Sequence, residues 1–380
     1  MSNGGRIEPA TGSRKINVLL GASTLWVGGA EMVVKHLAQT MDRERFNVTV
    51  CHLKQRGSIG NELANSGIDV VGIDAAGSGA VNYLTFLKLR HIVKTRRIHV
   101  VHTHMTHALV DASLCKLSMP RLKLVHTFHF GNYPHTEKRV LGLERVFSRV
   151  PDRLCAVGER QRQQILRVFG FRDRRIATVH NGVELREPSI DTTFRRSVGA
   201  VDRPLIGTIA TFIEQKGLRD LLRVARRCKD VGCPARFVVV GEGHLRHELE
   251  QLRRDLDLED TVHLTGWIQN AAAVLPTFDI FFQPSLWEAM SMVVLEAMAA
   301  SRAIVATTVG ENPLILADGL TALLVPPGDV DAMASAILGL IDRPERGQAM
   351  GHAAREVVRE RFTVAHTTRA YERIYSELVS

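Results

Sequence analysis

Tyrosine and tryptophan are scarce in this sequence, with four Tyr and three Trp among 380 residues. So few rings leave little for stacking on bases. No recognisable nucleic-acid module accompanies the net charge of +9, and nucleic acid is not an expected partner. Cysteine is sparse too. The five are odd in number and lack metal-ligand spacing, and Cys228 with Cys233, the closest pair, has no second pair to complete a zinc set. They read as packing residues in a reduced, cytoplasmic protein. No apolar run approaches the ~18 residues of a membrane span. The opening MSNGGRIEPATGSRK has no apolar signal core, so residues 1–14 are expected to be a disordered lead-in. Nor does a Gly-x-Gly-x-x-Gly follow the first predicted strand. GASTLWVGGAE stands there with its glycines late, which argues against a dinucleotide-binding dehydrogenase.

What is present is a repeated β-α alternation. Continuous apolar runs at 16–21, 46–53, 69–74, 99–104, 123–130 and 153–159 predict strands covered on both faces, with amphipathic helices such as 30–41 and 83–97 between them. The pattern restarts with strands at 204–210, 236–243, 261–267, 279–285, 303–310 and 321–327 and a helix over 218–231. A chain of this length exceeds one ordinary core. Two Rossmann-like, doubly wound parallel-sheet domains are therefore expected, over 15–190 and 200–362, with a ligand beyond the C-terminal ends of the strands in the cleft they face. The boundary falls in the polar stretch 187–204.

Charge divides the chain unevenly. Residues 1–200 carry 30 Lys+Arg against 16 Asp+Glu, and the remainder 19 against 24. Either the first half meets something anionic or it has a solvated basic surface. Within it, Arg139, Arg145, Arg149 and Arg153 stand near helical spacing among Val, Leu and Phe, which suits an interface on anionic lipid or an ordinary amphipathic surface helix.

The run WEAMSMVVLEAMAA (287–300) places Glu288 and Glu296 in apolar surroundings with no Lys or Arg between them. In one helix they would stand about 12 Å apart along the axis. That is beyond the ~5–9.5 Å of a glycosidase pair. Ser291 is a good N-cap, which puts Glu288 in a loop and Glu296 inside a buried helix, with the anion-favouring helix N-terminus between them. Two acids around an anion site could bind the hydroxyl pairs of a sugar–diphosphate–ribose. Alternatively, Glu296 pairs with Arg302 and Glu288 is a solvated loop residue.

An E-x7-E motif opening such a helix late in a second Rossmann-like domain resembles the retaining GT-B glycosyltransferases of family 4, the glycosyl transferases group 1. The resemblance spans nearly the whole chain. It rests also on GGAEMVVKHLA (28–38), HNGVE (180–184), EQKGLRDLL (214–222), GEG (241–243) and the final stretch 362–379, which is similar to the family's helix crossing back onto the first domain. It implies a retaining hexosyl- or related transferase that moves a sugar from a nucleotide-diphosphate sugar to a saccharide, lipid-linked or other glycan-precursor acceptor. Glu288 would bind hydroxyls of the transferred sugar and Glu296 the ribose. Backbone N–H groups around Ser291 and Met292 would hold sugar or phosphate oxygens, and Lys216 would neutralise the diphosphate. Gly28 and Gly29 would allow close backbone approach to the donor. His129 matches the family's histidine near the sugar, although alone it reads as a strand-end histidine. His102 and His104 are expected to be structural or acceptor-lining.

The resemblance also implies that no cofactor or metal is required, no Asp-x-Asp pair serving a divalent ion. Attack on the donor's front face, assisted by the leaving phosphate, is the family's usual mechanism. Two positions depart from the family pattern: Thr211 stands where Arg is common, and Ala289 where Gly is. The basic first domain would hold the acceptor, with peripheral contact at the inner face of an anionic membrane. The alternative is a GT-B protein that is not a glycan transferase: a nucleotide-sugar epimerase, a sugar-phosphate synthase or an inactive binder.

Overall fold

The computed structural model describes residues 15–73, 85–131 and 137–380; the expected lead-in 1–14 and residues 74, 83–84 and 135–136 of predicted segments lie outside the described residues. Thirteen strands are found among the described residues. Seven belong to the first series: β1 (Ile16–Thr24), β2 (Phe46–Gln55), β3 (Asp69–Gly72), β4 (Val100–Thr103), β5 (Lys123–Phe128), β6 (Arg153–Ala156) and β7 (Ile176–Thr178). Six follow: β8 (Leu205–Ile209), β9 (Arg236–Val240), β10 (Val262–Gly266), β11 (Ile280–Gln283), β12 (Ala303–Thr307) and β13 (Leu323–Val325). They form two sheets, ordered β3-β2-β1-β4-β5-β6-β7 and β10-β9-β8-β11-β12-β13. The first strand of each series lies inside its sheet and pairs in parallel on both sides, β1 with β2 and β4, and β8 with β9 and β11. This is the reversal of strand order that marks a doubly wound sheet.

The apolar runs explain the layering. Val18, Leu19 and Leu20 of β1 are fully buried, as are Phe237, Val238 and Val240 of β9, because helices cover both faces of each sheet. β7 is the one strand the apolar pattern misses. Its three residues, Ile-Ala-Thr, follow the polar turn Asp173–Arg175 and are too few to register as a run. The large second core gathers Phe212, Leu221, Leu222, Phe237, Phe282 and Met333 around the six-stranded sheet.

The chain divides into two compact units. One contains the described part of Met1–His126 with Val146–Arg153 and Tyr371–Ser380; the other contains the described part of Thr127–Arg145 with Leu154–Ala370. In the first unit the C-terminal helix Val364–Val379 contributes its last turns. The Tyr375 hydroxyl lies 2.6 Å from His102 Nδ1, and Glu372 accepts from the Asp42 amide at 2.8 Å.

Candidate functional site

The acidic run becomes a loop followed by a helix. β11 ends at Gln283, Ser291 takes the N-cap position with extended backbone, and the helix runs Met292–Ala299. The Ser291 side chain makes no capping hydrogen bond, so the first-turn N–H groups remain available to an anion. Ser291 and Met292 are both buried.

Glu288 lies in the loop, 6% exposed, and its carboxylate is held from three sides. Lys216 Nζ donates to it at 2.6 Å, Ser285 Oγ at 2.9 Å and Gln215 Nε2 at 3.1 Å. It is therefore not a solvated loop residue, and a buried carboxylate needs such a set. Lys216 closes a short 3-10 turn, Glu214–Lys216. Gly217 follows with φ 61°, and a Cβ there would meet the Pro284 carbonyl oxygen at 2.0 Å. Only glycine serves there. The Leu286 amide donates to the Gln215 carbonyl at 2.8 Å, so the two loops are tied by backbone as well as by the ion pair.

Glu296 is different. No side chain among the described residues pairs with it, and desolvation pushes its carboxyl up to about 7. Arg302 does not neutralise it: the guanidinium donates to the carbonyls of Ala300, Pro276 and Phe278 at 2.9, 3.1 and 3.2 Å. The alternative of a structural Glu296–Arg302 pair is thus removed. Although the residue is only half-buried, a desolvated and unpaired acid is costly to the fold, and such groups cluster at functional sites.

Three other segments reach the Glu288 loop. A Cβ on Gly131 would sit 2.3 Å from the Ala289 nitrogen, and one on Gly310 would sit 2.3 Å from the Ala289 carbonyl oxygen, so the loop is clamped between two glycines. Asn181 of HNGVE donates to the Met290 carbonyl at 3.3 Å. His129 stands two residues before Gly131 in the same segment. His129 is half-buried, and desolvation holds its imidazole down at about 4.

The remaining expected residues are placed as follows. Thr211 is exposed between β8 and the Lys216 turn. Beside it Arg246 packs over the Phe212 ring, but its guanidinium is committed to Glu242 and Glu250 at 2.7 Å each. Gly28 and Gly29 lie in the first unit at the start of the helix Gly29–Thr40, where a Cβ on Gly28 would meet Glu31 Oε2 at 2.4 Å. His102 and His104 are 0% and 1% exposed, their ring centroids lie 4.1 Å apart with the rings tilted by 41°, and His102 packs on Tyr371 and Tyr375, which favours the structural of the two expected roles. Arg149 and Arg153 also leave their expected helix: it covers Lys138–Phe147, Arg149 lies in the turn after it and Arg153 begins β6.

Two Asp-x-Asp triplets do occur, Asp255-Leu256-Asp257 and Asp329-Val330-Asp331. Asp257 pairs with Lys229 at 3.1 Å, Asp329 caps the helix Val330–Ile341 and Asp331 pairs with Arg227 at 3.0 Å. Among the described residues no group of three or more His, Cys, Asp or Glu could hold a metal ion.

One residue escaped the sequence reading. Glu311 is 1% exposed and accepts from the Arg160 amide at 2.7 Å and the Gln161 amide at 3.4 Å, at the start of the helix Glu159–Phe169. Its own amide donates to the Ala289 carbonyl at 2.9 Å. Glu311 thus links that helix to the Glu288 loop. No spacing in TTVGENP announces such a contact.

A family model described as Glycosyltransferase Family 4 matches residues 27–187, and one described as Glycosyl transferases group 1 matches residues 203–343. Alpha-maltose-1-phosphate synthase of Mycolicibacterium smegmatis is 28% identical over 332 residues, covering 79% of this chain and 85% of that protein. N-acetyl-alpha-D-glucosaminyl L-malate synthase of Bacillus anthracis is 25% identical over 307 residues, covering 77% and 78%. In fold, the chain is similar to Anabaena Alr3699/HepE, solved in complex with UDP and glucose. The TM-score is 0.85 at 19% identity, over 95% of this chain and 100% of that one.

Proposed function

Since the chain belongs to the GT-B glycosyltransferases of family 4 (glycosyl transferases group 1), we propose that it moves a sugar from a nucleotide-diphosphate sugar to a saccharide, lipid-linked or other glycan-precursor acceptor, with retention of anomeric configuration and without a metal. The observation that carries this reading is the contrast between the two acids. Glu288 is locked by Lys216, Ser285 and Gln215, whereas Glu296 is half-buried with no side-chain partner among the described residues, on a helix whose first-turn N–H groups are uncapped.

In this reading Glu296 accepts hydrogen bonds from the ribose hydroxyls. The backbone N–H groups at Ser291 and Met292 hold phosphate or sugar oxygens, and Glu288 orients the hydroxyls of the transferred sugar. Lys216 and the helix N-terminus stabilise the charge that grows on the diphosphate as the sugar–phosphate bond breaks. The acceptor oxygen bonds to the anomeric carbon from the same face, and its proton passes to the leaving phosphate oxygen. His129, uncharged at neutral pH, hydrogen-bonds near the sugar without competing for that charge. Thr211 offers a hydroxyl to the donor, and Gly28 and Gly29 give close backbone approach. A further part of the proposal is peripheral contact with anionic lipid through the helix Lys138–Phe147, where Arg139 and Arg145 are exposed beside Leu143 and Val146.

The test is a set of thermal shifts of wild type and Glu296→Ala with UDP, GDP, ADP, dTDP and CMP. A nucleotide at ~100 times its dissociation constant stabilises a fold by about 2.7 kcal/mol. Stabilisation by one diphosphate, lost in the variant, is expected. No response to any nucleotide, or an equal response from the variant, overturns the reading.

A further inference from the structure

The first unit carries a feature that the donor machinery does not use. Trp26 lies in the loop leaving β1, 54% exposed, although the sequence has only three tryptophans. Its ring is fixed rather than free: Nε1 donates to Gln55 Oε1 at 2.8 Å, the Leu25 amide donates to the Gln55 carbonyl at 3.1 Å, and the Ile59 amide donates to the Leu25 carbonyl at 3.0 Å. Gly57 allows this approach, since at φ 60° it sits where a Cβ would lie 2.6 Å from the Trp26 nitrogen. An exposed indole held by one hydrogen bond, on a loop that two backbone hydrogen bonds and a close-packed glycine fix in place, is a preorganised surface.

Gln55, the anchor of that ring, has a cation on either side. Lys54 and Arg56 are both exposed, and among the described residues neither pairs with a carboxylate. His107 lies near Lys54, at the first turn of the helix Thr106–Ser118; desolvation first, then the Lys54 ammonium, lower its pKa. The acid that follows the Trp26 loop, Glu31 in the first turn of the helix Gly29–Thr40, is turned back to Thr24 and to backbone. All these groups stand at the C-terminal ends of β1, β2 and β4, the edge of a doubly wound sheet where ligands bind. The flat apolar face of an indole suits the C–H face of a pyranose, while two unpaired cations suit a phosphate or carboxylate.

We infer that Trp26, Lys54 and Arg56 form an acceptor subsite for a saccharide bearing an anionic substituent, its ring stacked on Trp26 and its phosphate or carboxylate held by Lys54 and Arg56. The inference rests on the transferase reading above and names the class of acceptor that reading leaves open.

It is tested on the full chain by titrating glucose 6-phosphate, glucuronate, methyl glucoside and inorganic phosphate. The Trp26 indole N–H and the His107 ring are followed by NMR. Both anionic sugars are expected to shift the Trp26 signal and to raise the His107 pKa, with affinity at least tenfold weaker in Trp26→Ala and in the double variant Lys54→Ala/Arg56→Ala. Methyl glucoside is expected to bind at least tenfold more weakly than either. Equal binding of methyl glucoside removes the charge requirement, and equal binding of inorganic phosphate removes the saccharide; either overturns the subsite. So does unchanged affinity in the variants. Nucleotide stabilisation measured on the same variants separates the two claims. If it persists while no anionic sugar binds, only the subsite fails; if it is absent from wild type, the transferase reading itself fails.

Discussion

At pH 8 the Glu296 carboxyl is ionised within apolar surroundings, with no cation to offset it. Its pKa in the folded chain is raised from 4.5 to about 7, so the folded state binds the proton more tightly than the unfolded one. The resulting relief is complete below about pH 4.5 and is lost as the pH rises through 7. Glu296→Gln is therefore expected to stabilise the protein above pH 7, by up to ~3 kcal/mol at ~1.4 kcal/mol per unit, and to change little at pH 4.5. Thermal melts of both proteins from pH 4.5 to 8.5 read this directly; a variant less stable than wild type at pH 8 sinks it. Binding should move the opposite way. The ionised carboxylate is the better acceptor for ribose hydroxyls, so nucleotide affinity of the wild type should rise through pH 7 and that of Glu296→Gln should not. A residue that weakens the fold while strengthening a ligand is what a binding site retains and a structural pair does not.

At the scale of elements, the Glu288 loop is positioned by contacts that differ in how legible they are. The strand before it and the helix after it follow from the apolar runs and from Ser291, because local chemistry fixes them, whereas Lys216 was singled out only through the family resemblance. Glu311 and the glycines at 131, 158 and 310 were not legible, since their reasons are tertiary: each lets a distant segment come close. A Cβ on Gly158 would fall 2.1 Å from Glu311 Cδ, yet Gly158 has extended backbone that any residue can adopt. Gly158→Ala should thus destabilise only through Glu311, by about 1–3 kcal/mol for overpacking. Glu311→Ala should cost about 1–2 kcal/mol for the lost cap. The double variant should fall short of the sum by 1 kcal/mol or more, because the clash vanishes with the side chain. Urea unfolding of the four proteins measures the cycle, and strict additivity would mean the contact does not form. β7 was missed for a simpler reason: three residues after a polar turn carry too little pattern.

At the scale of the whole molecule, the charge asymmetry bears on what the protein meets. No helix among the described residues is long and apolar enough to cross a membrane, and the lipid contact proposed above is one made at a surface. The helix Lys138–Phe147 presents exposed Lys138, Arg139 and Arg145 with Leu143 and Val146, the latter 61% exposed, and buries only Glu144 fully. Such a face gains from anionic headgroups by about 1 kcal/mol per basic residue near the surface, an attraction that falls off within a Debye length of ~10 Å at 0.1 M salt. Vesicle flotation should therefore show binding to phosphatidylserine-rich vesicles at 20 mM salt, a marked loss at 500 mM and little binding to neutral vesicles. Arg139→Glu with Arg145→Glu should abolish the low-salt binding, and Leu143→Ala with Val146→Ala should weaken it at every salt concentration. Salt alone abolishing binding, with no effect from the apolar pair, would reduce the contact to diffuse attraction by the 30 Lys+Arg of residues 1–200. Binding that survives the charge reversal would place the lipid surface on another face.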